Sequence, residues 1–231
     1  MNADINASAG IVLSKLAVDP LARSNHTGSQ LASTISDFNE ATDDRVAALI
    51  APSGLLVETY DDAGNSLGYN VPAGAASDIN TGTDTTKALT ADALAGSVMG
   101  SRTVVCLVTD FATNTATGDG KFYFTVPEEL NGMDLIAAHA QVITAGTTGT
   151  TDIQLARQRP SSASAFTTVD MLSTKLTIDS AELGSQNAAT AAVINTSNDD
   201  VATNDQIRID VDAVSTTPAK GLIVRLRFML P

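Results

Sequence analysis

The chain has 231 residues, a net charge of −13 and a 43% hydrophobic share in which aromatics are only 4% and Trp is absent. So acidic a protein opposes a phosphate backbone, because nucleic-acid affinity rests on Lys and Arg displacing condensed counterions; anionic membrane surfaces are disfavoured for the same reason. No apolar run approaches the roughly 20 residues that span a bilayer, so neither nucleic acid nor membrane insertion is expected.

The N-terminal Met1-Asn2-Ala3-Asp4-Ile5 has neither the positive cluster nor the apolar run of a secretory signal, and assembly inside a cell is the expectation. Ile5, Val12, Leu13 and Leu16 then predict a short amphipathic helix or extended arm that Pro20 ends. After the turn-like Asn25-His26-Thr27-Gly28-Ser29, the residues Leu31, Ile35, Phe38, Val46 and Leu49 recur at helical spacings. They form a narrow stripe that Thr42 and Arg45 interrupt. A stripe with little nearby to bury it packs against copies of itself, so these five are the expected oligomerisation residues of a short coiled-coil-like region.

Pro52-Ser53-Gly54 breaks that pattern, and Leu55–Tyr60 followed by Asp61-Asp62-Ala63-Gly64-Asn65 and Ser66–Val71 reads as a hairpin. Pro72–Thr86, rich in Gly, Ala, Ser, Thr and Asp, reads as a linker. Thr90 as N-cap, Asp92 in the first turn and Gly96 as the stop predict one or two helical turns.

From about Ser101 the chain alternates short β-like runs with polar, turn-rich loops: Thr103–Thr109, Lys121–Val126, Leu135–Ile143, Asp152–Arg157, Val169–Ile178, Ala191–Ile194, Gln206–Val214 and Lys220–Met229. Eight such runs without a long helix predict two packed antiparallel sheets. The fold expected is therefore mainly β: a C-terminal antiparallel β-sandwich, jelly-roll-like, behind a short helical region. The expected divisions are an anchor and oligomerisation region over 1–51, a hairpin and linker over 52–100, and a sandwich head over 101–231. In Gln206–Val214 the side chains of Ile207, Ile209, Val211 and Ala213 share one face; Arg208, Asp210 and Asp212 share the other. The short connection Ser215–Ala219 predicts that the last two runs pair with each other, setting Asp210 and Asp212 across from Arg225 and Arg227.

Chemistry-bearing patterns are few. Gly64-Asn65-Ser66-Leu67-Gly68 matches a nucleophile elbow in letters, but that motif works only at a strand-to-helix turn, and here it follows a hairpin turn. His26 and His139 have no ligand-spaced companions, and the single Cys106 lies in the apolar run Val104–Val108, where a free thiol is a small buried hydrophobe. Asn198-Asp199-Asp200 with Asn204-Asp205 offers hard oxygens of the kind calcium takes, in no EF-hand spacing, and reads first as a loop held by its own Asx side chains. Asp210 and Asp212 are paired carboxylates without a sugar-stacking aromatic. No catalytic, cofactor-binding or metal-binding residue is assigned, and no enzyme is expected.

Three passages carry a resemblance. The stretch Asn25-His26-Thr27-Gly28-Ser29-Gln30 through Ser33-Thr34-Ile35 and Asp37-Phe38 resembles a segment of tailed-bacteriophage fibre proteins. Thr85-Thr86-Lys87-Ala88-Leu89-Thr90-Ala91-Asp92-Ala93-Leu94-Ala95 resembles a junction in the same proteins, with Ala91 where they usually have Pro. Lys121 to Met229 is similar in pattern to a β-sandwich of phage fibre, spike and head-decoration proteins, particularly at Met171–Lys175 and Asn195–Ala202. The resemblance implies a homotrimeric fibre or spike subunit of the virion, assembled in the host cytoplasm. Its N-terminal region would dock on other virion proteins of tail, neck or capsid, and its β-head would meet a host-surface glycan or protein. The alternative it implies is a head-decoration protein, cement or head fibre, without a receptor. No cofactor and no catalytic residue carries over.

Overall fold

Side-chain alternation with a period of two governs the strands that dominate the regular structure of this chain. The computed structural model describes residue 29, residues 31–50 and residues 55–231, and it is mainly β with several antiparallel sheets. The chain divides into two compact units, Met1–Asn70 and Val71–Pro231. The arm expected over Ile5 to Leu16 lies outside the described residues.

In the first unit, helix α1 (Phe38–Leu49) precedes a hairpin of β1 (Val57–Asp61) and β2 (Ser66–Asn70). The helical stretch expected from Leu31 starts late: Ala32–Thr34 is a single 3-10 turn, and Ile35 is extended. Ser and Thr side chains offer the backbone an alternative to helix here, as Thr34 Oγ1 does by donating to the Leu31 carbonyl at 2.7 Å. The expected hairpin forms, with Asp61 opposite Ser66 and Val57 opposite Asn70. Its turn is tied by the Asp61 carboxylate, which accepts from the Gly64 N–H at 3.0 Å, and by Asn65 at φ 47°, a left-handed conformation Asn tolerates.

The second unit begins with two short helices, α2 (Ala76–Thr81) and α3 (Ala91–Ala95). The latter is the predicted one, with the Thr90 side chain accepting from the Ala93 N–H at 3.2 Å and Gly96 at its end. The former corrects the linker reading. Asp78 accepts from the Ala75 N–H at 2.8 Å and so caps α2, while Gly82 ends it at φ 68°. Lys87 then bridges Asp78 at 2.8 Å and Asp84 at 3.2 Å, and Ala73 pairs in parallel with Ala88. The stretch is a small ordered motif.

Ten strands follow: β3 (Arg102–Leu107), β4 (Gly118–Thr125), β5 (Asp134–Gln141), β6 (Thr151–Ser162), β7 (Ala165–Asp170), β8 (Leu172–Thr174), β9 (Leu176–Ile178), β10 (Val193–Ile194), β11 (Gln206–Ala213) and β12 (Ile223–Met229). One sheet has the order β4-β11-β6-β7 with β9 also on β6; a second is β3-β12-β5; β8 and β10 pair separately. Ile153, Leu155, Ile207, Ile209 and Val211 of the larger sheet and Cys106, Leu135, Val224, Leu226 and Phe228 of the smaller join one buried apolar core. Phe124 and Phe228 meet edge to face within it, their ring centres 6.5 Å apart. The core thus draws side chains from both of these sheets.

Two pairings depart from expectation. β11 and β12 are not neighbours; they lie at the middle of different sheets. Their connection is occupied in pairing with the β5–β6 loop: Thr216 N–H donates to Thr148 O at 2.8 Å, Thr147 N–H to Thr217 O at 3.0 Å and Lys220 N–H to Thr144 O at 3.0 Å. It therefore arches from one sheet to the other instead of turning back within one. The run Val169–Ile178 is likewise three pieces. β7 and β9 both lie along the long β6, and between them the buried Met171 donates its N–H to Leu155 O at 2.8 Å while β8 swings out to β10.

Candidate functional site

The five expected oligomerisation residues sit around α1, and the structure leaves four of them exposed. Leu31 is 73% exposed, Leu49 70%, Phe38 42% and Val46 41%, while Ile35 is half-buried. On α1 itself Phe38, Val46 and Leu49 fall within an arc of roughly 80° at 3.6 residues per turn. The half-covered positions Asp43, Ala47 and Ile50 lie on another side of the same helix axis. Val46 borders a shallow hollow shared with Asp43, Tyr60, Asn65, Ser66 and Leu67, so helix and hairpin are neighbours in this unit. Glu40, Asp44 and Asp62 bring carboxylate oxygens within 4.8 Å of one another, all three residues exposed. A hydrogen bond with Asp62, followed by that group's charge, raises the Glu40 carboxyl above its ordinary value.

The acidic loop around Asp199 is organised by arginines. Arg157 donates to both the backbone oxygen and the carboxylate of Asp200. Arg159 reaches Asp200 at 2.9 Å and straddles Asp205 with Nε at 3.0 Å and Nη2 at 2.7 Å. Asp205 is buried to 1% exposure and also accepts from the Ala202 N–H at 2.9 Å. Burial works against charge on Asp200, but the hydrogen bonds from Arg157 and Arg159 outweigh it and hold the carboxyl below its ordinary value. Two of the oxygen donors weighed for calcium are thus engaged in a clamp that fastens the loop to β6. The arginines at positions 157 and 159 were legible as a same-face pair on a strand, but their partners stand more than forty positions away.

Asp210 and Asp212 are not a matched pair. Asp210 is buried and bound by Arg208 on its own strand, at 3.0 Å from Nε and 2.7 Å from Nη2. Asp212 pairs with Lys175 at 2.7 Å. The expected ladder to Arg225 and Arg227 is corrected by the sheet order, which puts those arginines on the other sheet. Ser66 opens β2 of an antiparallel hairpin, so the Gly64–Gly68 letters do not stand at a strand-to-helix elbow. Cys106 is fully buried, and burial pushes its thiol up to about 11. His26 lies outside the described residues.

His139 occupies the outer face of β5. It stands opposite Arg225 of β12, while Ala137 stands opposite Arg227. On the other flank of β12, Val105 and Thr103 of β3 lie opposite the same two arginines. Among the described residues no helix is long and apolar enough to cross a membrane. No protein-family model matches the chain, and no curated protein does.

Proposed function

We propose that this chain is a structural subunit of a bacteriophage virion fibre or spike. It acts as a homotrimer: the N-terminal region joins copies to one another and to other virion proteins, and the jelly-roll-like β-unit is presented to a host-surface glycan or protein. The observation that carries this reading is the exposed set Leu31, Phe38, Val46 and Leu49 around one helix of a chain whose net charge is −13. Apolar side chains left together in water mark a surface that another molecule covers. At about 25 cal/mol per Å² of apolar surface removed from water, a few hundred Å² per chain would contribute several kcal/mol before ordering costs. The fibre-like Asn25–Phe38 and Thr85–Ala95 segments, flanking the hairpin, support the same plan. The acidic surface suits a protein that must stay soluble until it meets its particle.

Light scattering on the purified chain tests the first step. Three times the 23.7 kDa of one chain is the expected mass, and a 23.7 kDa monomer throughout the micromolar range removes the proposal. Labelled protein binding to host cells tests the second. Trimers that locate on the capsid and ignore cells would favour the head-decoration role instead.

A further inference from the structure

Among the described cations, Lys87, Arg157, Arg159, Lys175 and Arg208 each have a carboxylate within ion-pairing distance. Arg225 and Arg227, like Arg45, Arg102, Lys121 and Lys220, have none among the described residues, in a chain with twice as many acids as bases. Arg225 and Arg227 lie two residues apart on the central strand of the β3-β12-β5 sheet, so both project from the same outer face. With Thr103, Ala137 and His139 they line a hollow of about 270 Å³. Ala137 and Thr103 flank Arg227 with short side chains, and these leave the space open. Nε of Arg227 is buried without a hydrogen-bond partner. A guanidinium nitrogen removed from water and left unpaired costs free energy that an arriving oxygen atom would recover.

We propose that this hollow binds a compact oxyanion, the carboxylate or sulfate group of a small ligand. Arg225 and Arg227 both line it, on one face of β12, and supply charge-assisted donors. The Thr103 hydroxyl and the His139 ring add polar contacts at the rim, and Val105 stands beside Arg225 on the neighbouring strand. A hollow of this size admits a single sugar-sized acid. Among the described residues no acidic side chain lines it to repel the anion. The site stands on the geometry of one sheet and does not depend on the virion reading.

Calorimetric titration of the full chain with D-glucuronate, inorganic sulfate and D-glucose tests the proposal at low salt, where exposed charges are least screened. Glucuronate, sulfate or both should saturate one site per chain with a Kd of about 1 mM, and glucose should not bind. Glucuronate binding more tightly than sulfate identifies an acidic sugar as the natural source; equal binding identifies a free oxyanion. Arg225→Gln, at an exposed position, and Ala137→Leu, which fills the hollow without removing charge, should each weaken binding at least about tenfold. The proposal is overturned if neither anion saturates below about 50 mM, or if both variants bind as the parent does. It is also overturned if Arg225→Glu changes the mass of the particle in solution, since that would make the face a contact between copies.

Discussion

The carboxylate of Asp210 accepts the backbone N–H of Gly120 at 2.6 Å, joining β11 to a bulge in β4 where the register slips between Ile209 and Val211. Gly120 sits there at φ 65°, and a Cβ on it would fall 2.3 Å from the Tyr123 hydroxyl. The bulge thus needs a glycine to form and a buried carboxylate to hold it. Asp210→Asn keeps the shape but loses the charge that Arg208 faces, and leaves one group of the trio poorly bonded. Its unfolding free energy should fall by about 2 kcal/mol, the cost of a buried polar group losing its partner. A urea titration should show the midpoint lowered with the slope unchanged; an unaltered midpoint contradicts the role given to Asp210.

The Arg157–Arg159 clamp predicts an acid limit to stability. Asp200 has a folded carboxyl held below its ordinary value, so it binds its proton less readily when folded than when unfolded. Its contribution is complete above the unfolded carboxylate range and is lost as pH falls through the folded value. Urea midpoints should be level from about pH 7 to 5 and drop below about pH 4. Arg159→Gln leaves Asp205 buried with one cation fewer, at a cost of about 3 kcal/mol near neutrality, discounted for the partial exposure of Arg159. The gap between variant and parent should narrow in acid, and a gap constant across the whole range would contradict the clamp.

Local signals were readable in the sequence, and partner choice was not. Thr90 and Gly96 bound a helix because capping needs only neighbouring residues, and seven of the eight apolar runs each hold one strand, while Val169–Ile178 is split into three, because alternation is a property of each run alone and where a run breaks is not. The β11–β12 pairing failed for the opposite reason. A connection of the length of Ser215–Ala219 serves a hairpin or an arch equally well, and only the 144–148 loop, some seventy positions earlier, decides between them. Helix α2 was hidden in a Gly- and Ala-rich composition, although Asp78 ahead of Gly82 carried the start and stop signals. Arg225 and Arg227 were visible as an outward pair, but whether acids faced them depended on sheet order.

Cys106 should behave as a core residue and not as a reagent. It packs on β3 opposite Val224 with no exposed surface, and its thiol titrates near 11, so almost no thiolate exists at neutral pH. An aromatic disulfide reagent should label it only at the rate the β-unit opens, and fully in denaturant. Rapid labelling of the native chain would show that the smaller sheet is not closed. Cys106→Asp should prevent folding of this unit, whereas Cys106→Ala should cost only about 1 kcal/mol, since little volume is lost.

Leu49 offers a direct separation of assembly from folding. Its side chain is largely in water on a single chain, so replacing it should leave the fold of that chain almost untouched, within about 0.5 kcal/mol. If sister copies cover it, Leu49→Asp instead places a charge at an apolar seam in every copy at once, beside a helix already rich in Glu40, Asp43 and Asp44. Such a charge costs several kcal/mol to desolvate when it finds no partner. The expected result is a particle that falls from trimer mass to monomer mass while its circular dichroism and the urea midpoint of the β-unit stay as in the parent. A variant that keeps the parental mass shows that Leu49 is not at a seam, and the oligomeric reading of the Leu31–Leu49 row then fails with it.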